Sequence, residues 1–374
     1  MFHTIITLAY TIPNIYVFMR VWQVFINKGY KVLFAAIFIL LASIYPVSNL
    51  FSEGDSGIPV IFLKSAANYI LPFYLYLFLF MLVLDIFLLF NRIFKIVSSE
   101  KLTTTRFKVI GLSLILILSA SVVIGGIINF NTIRISEYQI EISRKSSKIS
   151  HLKVAFVADF HLKEGTSINF VERFAEKIKI INPDLMIFGG DIVEGDREAE
   201  NLVAFEQVLS GITARYGVFT VLGNHEHYAG QDKGSFFTKS GMKVLSDSIV
   251  IIGSSFNLAG RNDSHIRTRK EIGELLKSAT DSLPLILVDH RPTEIEQVSR
   301  TSVDVQLSGH THNGQMFPIN LITGKVYELS WGYKKIGNTH FFVTSGIRLW
   351  GPPVRTAGKS EIMVIDINFT GNKP

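Results

Sequence analysis

The sequence predicts an α/β fold preceded by a membrane region of four helices, and three observations carry that reading. Five short apolar runs in the second part of the chain each stop at Gly or at a polar residue able to bind a metal. Helix-period stretches lie between them, as in alternating strand–helix folds. The first 130 residues hold four apolar stretches of a length that crosses a bilayer.

The four stretches cover about residues 5–26, 32–51, 66–90 and 109–130. Each reaches the roughly 20 residues that a bilayer core requires. Mean hydropathy is +0.33, high for a soluble enzyme, and the excess is confined to this region. A cleaved signal peptide does not account for the first stretch, which has no basic start and no small-residue cleavage site and precedes three more spans. A four-helix bundle in water would need polar faces that these segments lack. Trp22, Tyr30 and Tyr69 stand near span ends, where aromatic rings anchor at the interface. Pro13, Pro46 and Pro72 mark sites for kinks. Arg20 is close enough to an end to snorkel and Asp85 is near the end of the third span; a functional intramembrane pair is the alternative.

Loop charge sets an expected orientation. Lys28 and Lys31 lie between the first two spans, and Arg92, Lys95, Lys101, Arg106 and Lys108 between the last two; the middle loop has Glu53 and Asp55 against Lys64. The positive-inside rule places the first and third loops in the cytoplasm, which makes a multi-pass protein of the cell membrane with both termini and the region from 131 onward outside. Arg134, Arg144, Lys145 and Lys148, just after the fourth span, pull the other way.

Beyond the membrane region, residues 135–150 alternate Ile with polar residues and read as a first strand with a Ser/Lys-rich connector. Residues 154–158 then run into Asp159-Phe160-His161, 185–188 into Gly189-Gly190-Asp191, and 219–222 into Gly223-Asn224-His225-Glu226. Residues 285–288 end at Asp289-His290, and 303–307 end at Ser308-Gly309-His310-Thr311-His312. Stretches 170–181 and 199–210 have the helix period of crossovers packed on a sheet. Every candidate ligand thus sits at a strand's carboxyl end, the edge where open α/β sheets bind ligands.

The ligand types narrow the chemistry. Imidazole, carboxylate and one amide oxygen suit Mn, Fe, Zn or Mg rather than copper or an iron–sulfur cluster. Asp159, His161, Asp191, Asn224, His290, His310 and His312 are too many for one tetrahedral ion. Two divalent ions would share them, with Asp191 as the natural bridge. Ions about 3.5–4 Å apart clamp the attacking and leaving oxygens of an in-line displacement, which points to hydrolysis of a phosphoester or pyrophosphate.

At these blocks the chain resembles the calcineurin-like metallophosphoesterase superfamily, whose signature runs Asp-x-His, Gly-Asp, Gly-Asn-His-Asp/Glu, a lone His, and Gly-His-x-His. The resemblance covers roughly residues 150–370, and the stretch Ser345-Gly346-Ile347-Arg348-Leu349-Trp350-Gly351-Pro352-Pro353-Val354-Arg355 is similar to the bacterial YkuE-type branch. That branch usually has a small residue near Arg348, so bulk and charge there depart from the pattern near the expected active-site rim. The resemblance implies a calcineurin-like four-layer αββα sandwich over residues 131–374, after a transmembrane region over 1–130. It implies that Asp159, His161 and His312 hold one ion, that Asn224, His290 and His310 hold the other, and that Asp191 lies between. A metal-bridged hydroxide would attack phosphorus, and His225 would protonate the leaving oxygen as the catalytic acid.

The expected function is therefore that of a membrane-anchored binuclear phosphohydrolase acting on a phosphorylated substrate, a lipid among the candidates. One alternative is a lipid-linked pyrophosphatase of the UDP-diacylglucosamine hydrolase type. Another is a non-catalytic membrane sensor or scaffold, against which the intact ligand set argues. The chain has no cysteine, which excludes disulfides and thiolate chemistry. Its net charge of +6, without a nucleic-acid-binding motif, is better matched to anionic lipid head groups than to nucleic acid.

His3, His151, His265 and His340 match no motif and read as solvent-facing or packed, and His227 as either rim or surface. Arg291 and Arg355 are open between phosphate contact and surface ion pair. Substrate choice is expected to lie in rim loops at 230–240 and 258–269.

Overall fold

Apolar sequence with few turn signals closes its backbone hydrogen bonds locally, and the first third of the chain is accordingly helical. The computed structural model describes residues 2–51, 57–143, 147–163, 165–194, 200–228 and 234–370. Glu53, Asp55, Arg144, Lys145, Ala199 and residues 230–233 of the first expected rim loop lie outside the described residues.

Helices α1 (Phe2–Val24), α2 (Lys31–Ser48), α3 (Ile58–Phe94), α4 (Ser99–Thr103) and α5 (Thr105–Asn131) form most of one unit, Met1–Ile128 with Gly351–Thr356. Val17, Val21, Tyr74, Leu77, Met81 and Ile115 make its core, while Val32, Phe62 and Ile117 stay exposed, the reverse of a helix made for water. Among the described residues three helical stretches are long and apolar enough to cross a membrane: Lys28–Ser48, Ile58–Phe94 and Thr105–Asn131. The four expected spans are thus three by this measure, and α1 as a fourth remains a proposal.

Helix α3 is longer than its expected span. It begins with Pro59 in its first turn and stops only where Lys95 takes a left-handed conformation. Inside the unit Arg20 does not reach for an end on its own. Its Nε donates to both Asp85 oxygens at 2.9 and 2.7 Å, and Tyr16 also donates to Asp85. A charge on an apolar helix is costly alone, and the opposite charge on α3 removes most of that cost. The segment Gly351–Thr356 joins this unit: Val354 is buried with Tyr76 and Val123, and Arg355 N–H donates to Gly126 O at 3.0 Å.

The second unit comprises Asn129–Trp350 and Ala357–Pro374. Its strands are β1 (Ile133–Ser143), β2 (His151–Val157), β3 (Leu185–Phe188), β4 (Val218–Thr220), β5 (Lys243–Val244), β6 (Ser248–Ile252), β7 (Phe256–Gly260), β8 (Leu285–Val288), β9 (Val305–Ser308), β10 (Gly332–Ile336), β11 (Thr339–Val343) and β12 (Ser360–Thr370). Its helices are α6 (Ile168–Ile181), α7 (Glu200–Ser210), α8 (Asn224–Tyr228), α9 (Gly234–Lys239), α10 (Ile272–Leu275), α11 (Ile295–Val298) and α12 (Ile319–Val326). One sheet has the order β1-β12-β2-β3-β4-β5 and the other β10-β11-β9-β8-β7-β6.

Strand periodicity assigns the layers. Val154 and Phe156 of β2 face inward to meet Leu258, Ile286, Val305 and Phe342 of the other sheet. Ala155 and Val157, one residue out of phase, pack instead against Phe170 and Phe174 of α6. On the far side, Leu285 and Leu287 pack against Ile272 of α10 and Ile295 and Val298 of α11. The result is the four-layer αββα sandwich. Both faces of the central strands are buried, which is why they read as unbroken apolar runs. Strands β2, β3 and β4 are mutually parallel, as are β7, β8 and β9, so within each sheet the polar residues that follow these strands emerge at one edge.

Candidate metal centre

The residues after β2, β3, β4, β8 and β9 converge. Asp159, His161 and His312 bring ligand atoms within 4.8 Å of one another; so do Asp191, His290 and His310, and so do His161, Asp191 and His225. His161 and Asp191 each belong to two of these groups, so the three overlap as one cluster from Asp159 to His310. Asn224 heads α8, and its neighbour His225 donates its backbone N–H to Asp191 Oδ1 at 2.9 Å. All seven sequence-predicted ligands are therefore at this sheet edge.

Placing so many side chains together strains the backbone. Asp159, His161, Asp191, His310 and His312 all have φ between 47° and 69°, a left-handed conformation that costs non-glycine residues of order 1–3 kcal/mol each. Loop-to-loop hydrogen bonds hold it: Asp159 N–H to Gly190 O and His161 N–H to Asp191 O, both 3.0 Å, and His310 N–H to the Asp159 carboxylate at 3.1 Å. Gly223 is required by space, since a Cβ there would stand 2.2 Å from Asp191 Oδ1.

The electrostatics fit a divalent cation. Burial pushes the His161 imidazole well below its usual range and, with the His290 and Arg291 charges, takes His310 down to about 2, so both are neutral donors. Burial would raise Asp191, but His290, His161 and His225 outweigh it and hold the carboxyl well below its usual value. Burial likewise opposes His290, and Asp191 overrides it, lifting His290 to about 10. Without a cation, His290 must take up a proton to face Asp191. Asn224 Oδ1 is buried and accepts no hydrogen bond, a loss a metal would make good.

A calcineurin-like phosphoesterase family model matches residues 152–314. Over 218 residues the chain is 34% identical to an uncharacterized metallophosphoesterase of Helicobacter pylori, covering 56% of this chain but only 58% of that relative. Over 251 residues it is 31% identical to one of Aquifex aeolicus, covering 64% of this chain and 94% of the relative. The chain belongs to the calcineurin-like metallophosphoesterase family. It is also 30% identical over 242 residues to the uncharacterized metallophosphoesterase YkuE of Bacillus subtilis, covering 60% of this chain and 84% of YkuE.

Around the candidate ligands lie residues that the motifs did not single out. Glu194 places Oε1 at 3.4 Å from His225 Nδ1 and Oε2 at 3.6 Å from His161 Nδ1, and its Oε2 also pairs with Lys163 at 3.2 Å. Glu226, the last residue of the Gly-Asn-His-Glu block, accepts backbone N–H groups from Asp191, Ile192, Val193 and Gly223 at 2.6–3.0 Å. It ties the β3 and β4 loops together. Burial and then the Asp191 charge push its carboxyl upward, against those N–H groups.

Behind His290, Asp289 is buried between Arg269 at 2.7 Å and Arg261 at 3.5 Å. Arg348, expected near the rim, donates its backbone N–H to Asp159 O at 3.0 Å, while its guanidinium lies between the Phe130 and Phe170 rings, at 4.9 and 4.8 Å from their centroids, and loss of solvent takes it down to about 10. A cation between two π faces explains a large residue where a small one is usual. His265 pairs with Asp263 and Arg291 instead of standing free, so one of the motif-less histidines lies in the site's surroundings. His151 pairs with Asp366, and His340 packs on Tyr333. Arg355 falls in the helical unit.

Proposed function

We propose that this chain is a membrane-anchored phosphohydrolase that holds two divalent ions, one on Asp159, His161 and His312, the other on Asn224, His290 and His310, with Asp191 between. The observation that carries the reading is the overlap of the three groups: His161 joins Asp159 and His312 to Asp191, and Asp191 joins His161 to His290 and His310. Bound there, such ions supply Lewis acidity at phosphoryl oxygens and make a water acidic enough to ionise near neutral pH.

The chain's own residues do the rest. The strained loops fix the scissile phosphoryl group at the sheet edge, and Asn224 adds its amide to the charge that develops. His225, whose Nδ1 lies 3.4 Å from Glu194 Oε1, is the proton donor for the leaving oxygen. Seven intact ligand positions argue against a scaffold that has lost catalysis.

Four spans and an outside-facing hydrolase unit complete the proposal. Lys108 Nζ donates to Asn27 Oδ1 at 3.1 Å, which brings the first and third loops to one end of the helical unit and supports a common cytoplasmic side. The test is turnover of an aryl phosphate by purified protein before and after chelation, followed by a panel of phosphoesters that includes membrane lipids. Rate that disappears with chelation and returns with Mn, Fe, Zn or Mg supports the reading; rate indifferent to chelation contradicts it.

A further inference from the structure

Helix α12 has its polar residues inside and its apolar residues outside. It follows the His312–Gly314 turn, and a Cβ on Gly314 would stand 2.6 Å from the Asn320 backbone and 2.7 Å from Thr323 Oγ1, so these two residues face the protein. Asn320 Oδ1 is buried there. Leu321 is 57% exposed, Ile322 63% and Val326 71%, and Phe317 and Ile319 beside them are exposed as well. Ile319, Ile322 and Val326 follow at intervals of three and four, which stacks them on one side of the helix. A surface helix made for water shows the opposite pattern. Lys325 is also exposed, and α12 has no acidic residue. The next acid along the chain, Glu328, pairs with Lys334 at 3.0 Å. Tyr327, directly after the helix, holds its ring 6.3 Å from that of His310, so α12 borders the candidate metal centre.

We infer that α12 docks on the surface of a bilayer containing anionic lipids, with Leu321, Ile322 and Val326 among the upper acyl carbons and Lys325 at the head groups. This contact is additional to the spans, and it rests on the membrane part of the proposed function, not on the metal chemistry. The chain carries three helices long and apolar enough to cross a membrane, so a bilayer is the apolar phase already at hand. Helices that lie in a membrane interface combine an apolar face with basic side chains, whose stems follow the apolar surface while the ammonium reaches lipid phosphate. A second copy matches less well: two α12 faces packed together would bury two Lys325 ammonium groups with no acid on either helix to answer them. Docking brings the centre beside His310 to the lipid–water boundary.

The chain has no cysteine, so an introduced one reports a single position. The full chain with Ile322→Cys, labelled with nitrobenzoxadiazole, is reconstituted in phosphatidylcholine–phosphatidylglycerol vesicles with and without lipids that carry a doxyl quencher high on the acyl chain. Ile117→Cys, exposed on α5, is the positive control. Ile180→Cys, exposed at the end of α6 just before β3 begins and so at the sheet edge opposite the metal ligands, is the negative one. The Ile322 label should be quenched and the Ile180 label should not; Val326→Cys repeats the measurement if the first variant fails to fold. Adding Lys325→Gln should lower the docked-to-free ratio about fivefold, the effect of one basic residue at an anionic surface. A label at Ile322 that is quenched no more than the one at Ile180 overturns the inference, whether it sits in water or is shielded by a second copy or another protein. An unquenched Ile117 label sinks the membrane reading itself.

Discussion

His290 turns Nδ1 to the Gly189 carbonyl at 2.8 Å and so aims Nε2 at Asp191 Oδ2, 3.2 Å away. With Nδ1 committed as donor, Nε2 offers a lone pair to a carboxylate that also offers lone pairs. Only a proton or a cation between them makes the approach favourable. The carbonyl that orients the imidazole lies on the loop that carries Asp191, so one turn sets both partners, as outer contacts commonly do in metal sites.

The first prediction concerns the proton donor. His225→Ala should keep its metal and lose rate by about 10²–10⁴-fold, with a smaller loss for aryl than for alkyl leaving groups. Glu194→Gln should lose roughly 10–100-fold by freeing the His225 ring. The double variant should be little worse than His225→Ala alone. Steady-state kinetics on a leaving-group series decides it, and additive losses would count against the pair acting as a unit.

Glu226 gives a prediction about stability. Its carboxylate satisfies four backbone N–H groups in two loops, and each unsatisfied buried group costs about 1–3 kcal/mol. Glu226→Ala should therefore lower unfolding free energy by at least about 3 kcal/mol, and Glu226→Gln by less. Denaturant titration measures both; a change in the range of a surface substitution, about 0.5 kcal/mol, would remove Glu226 from this role.

Much of the site was legible because metal ligation restricts residue type: His310 and His312 with Asp159 and His161 can be read at strand ends without any structure. The strands showed because both faces are buried, leaving Leu185-Met186-Ile187-Phe188 with no polar interruption. The outer partners were not legible. Glu194 and Asp263 are ordinary acidic residues in loops, and only the fold brings them to His225 and Arg291. The surroundings of Arg348 were hidden for the same reason, since nothing local announces that Phe130 and Phe170 will enclose its guanidinium. In the helices, composition located the apolar stretches and raised the Arg20–Asp85 pair only as an alternative, because the pairing depends on how α1 lies on α3.

A pH effect on stability follows from His340. Its Nδ1 lies 3.0 Å from the Tyr333 hydroxyl, and burial, then the Lys335 charge, lowers its pKa below 6.5. The unfolded chain thus binds more protons than the folded one between the folded pKa and 6.5, so this contribution is present above 6.5 and is lost as pH falls through the folded pKa. His340→Gln should flatten the decline in stability on acidification. Parallel pH–stability curves for the two proteins would contradict it.

Orientation is tested by fusions. A reporter active only outside the cytoplasm should work when joined after Pro374, and one active only inside should work when placed in the 98–105 loop. The opposite pattern reverses the topology and brings a cytoplasmic nucleotide-lipid pyrophosphate forward as substrate.

The central claim is a two-ion site joined by Asp191, and metal content measured together with rate tests it most directly. Elemental analysis of active wild-type protein should find two divalent ions per chain. Asp191→Asn should fall to one or none and lose turnover. Two ions with near-normal rate in that variant would contradict the account.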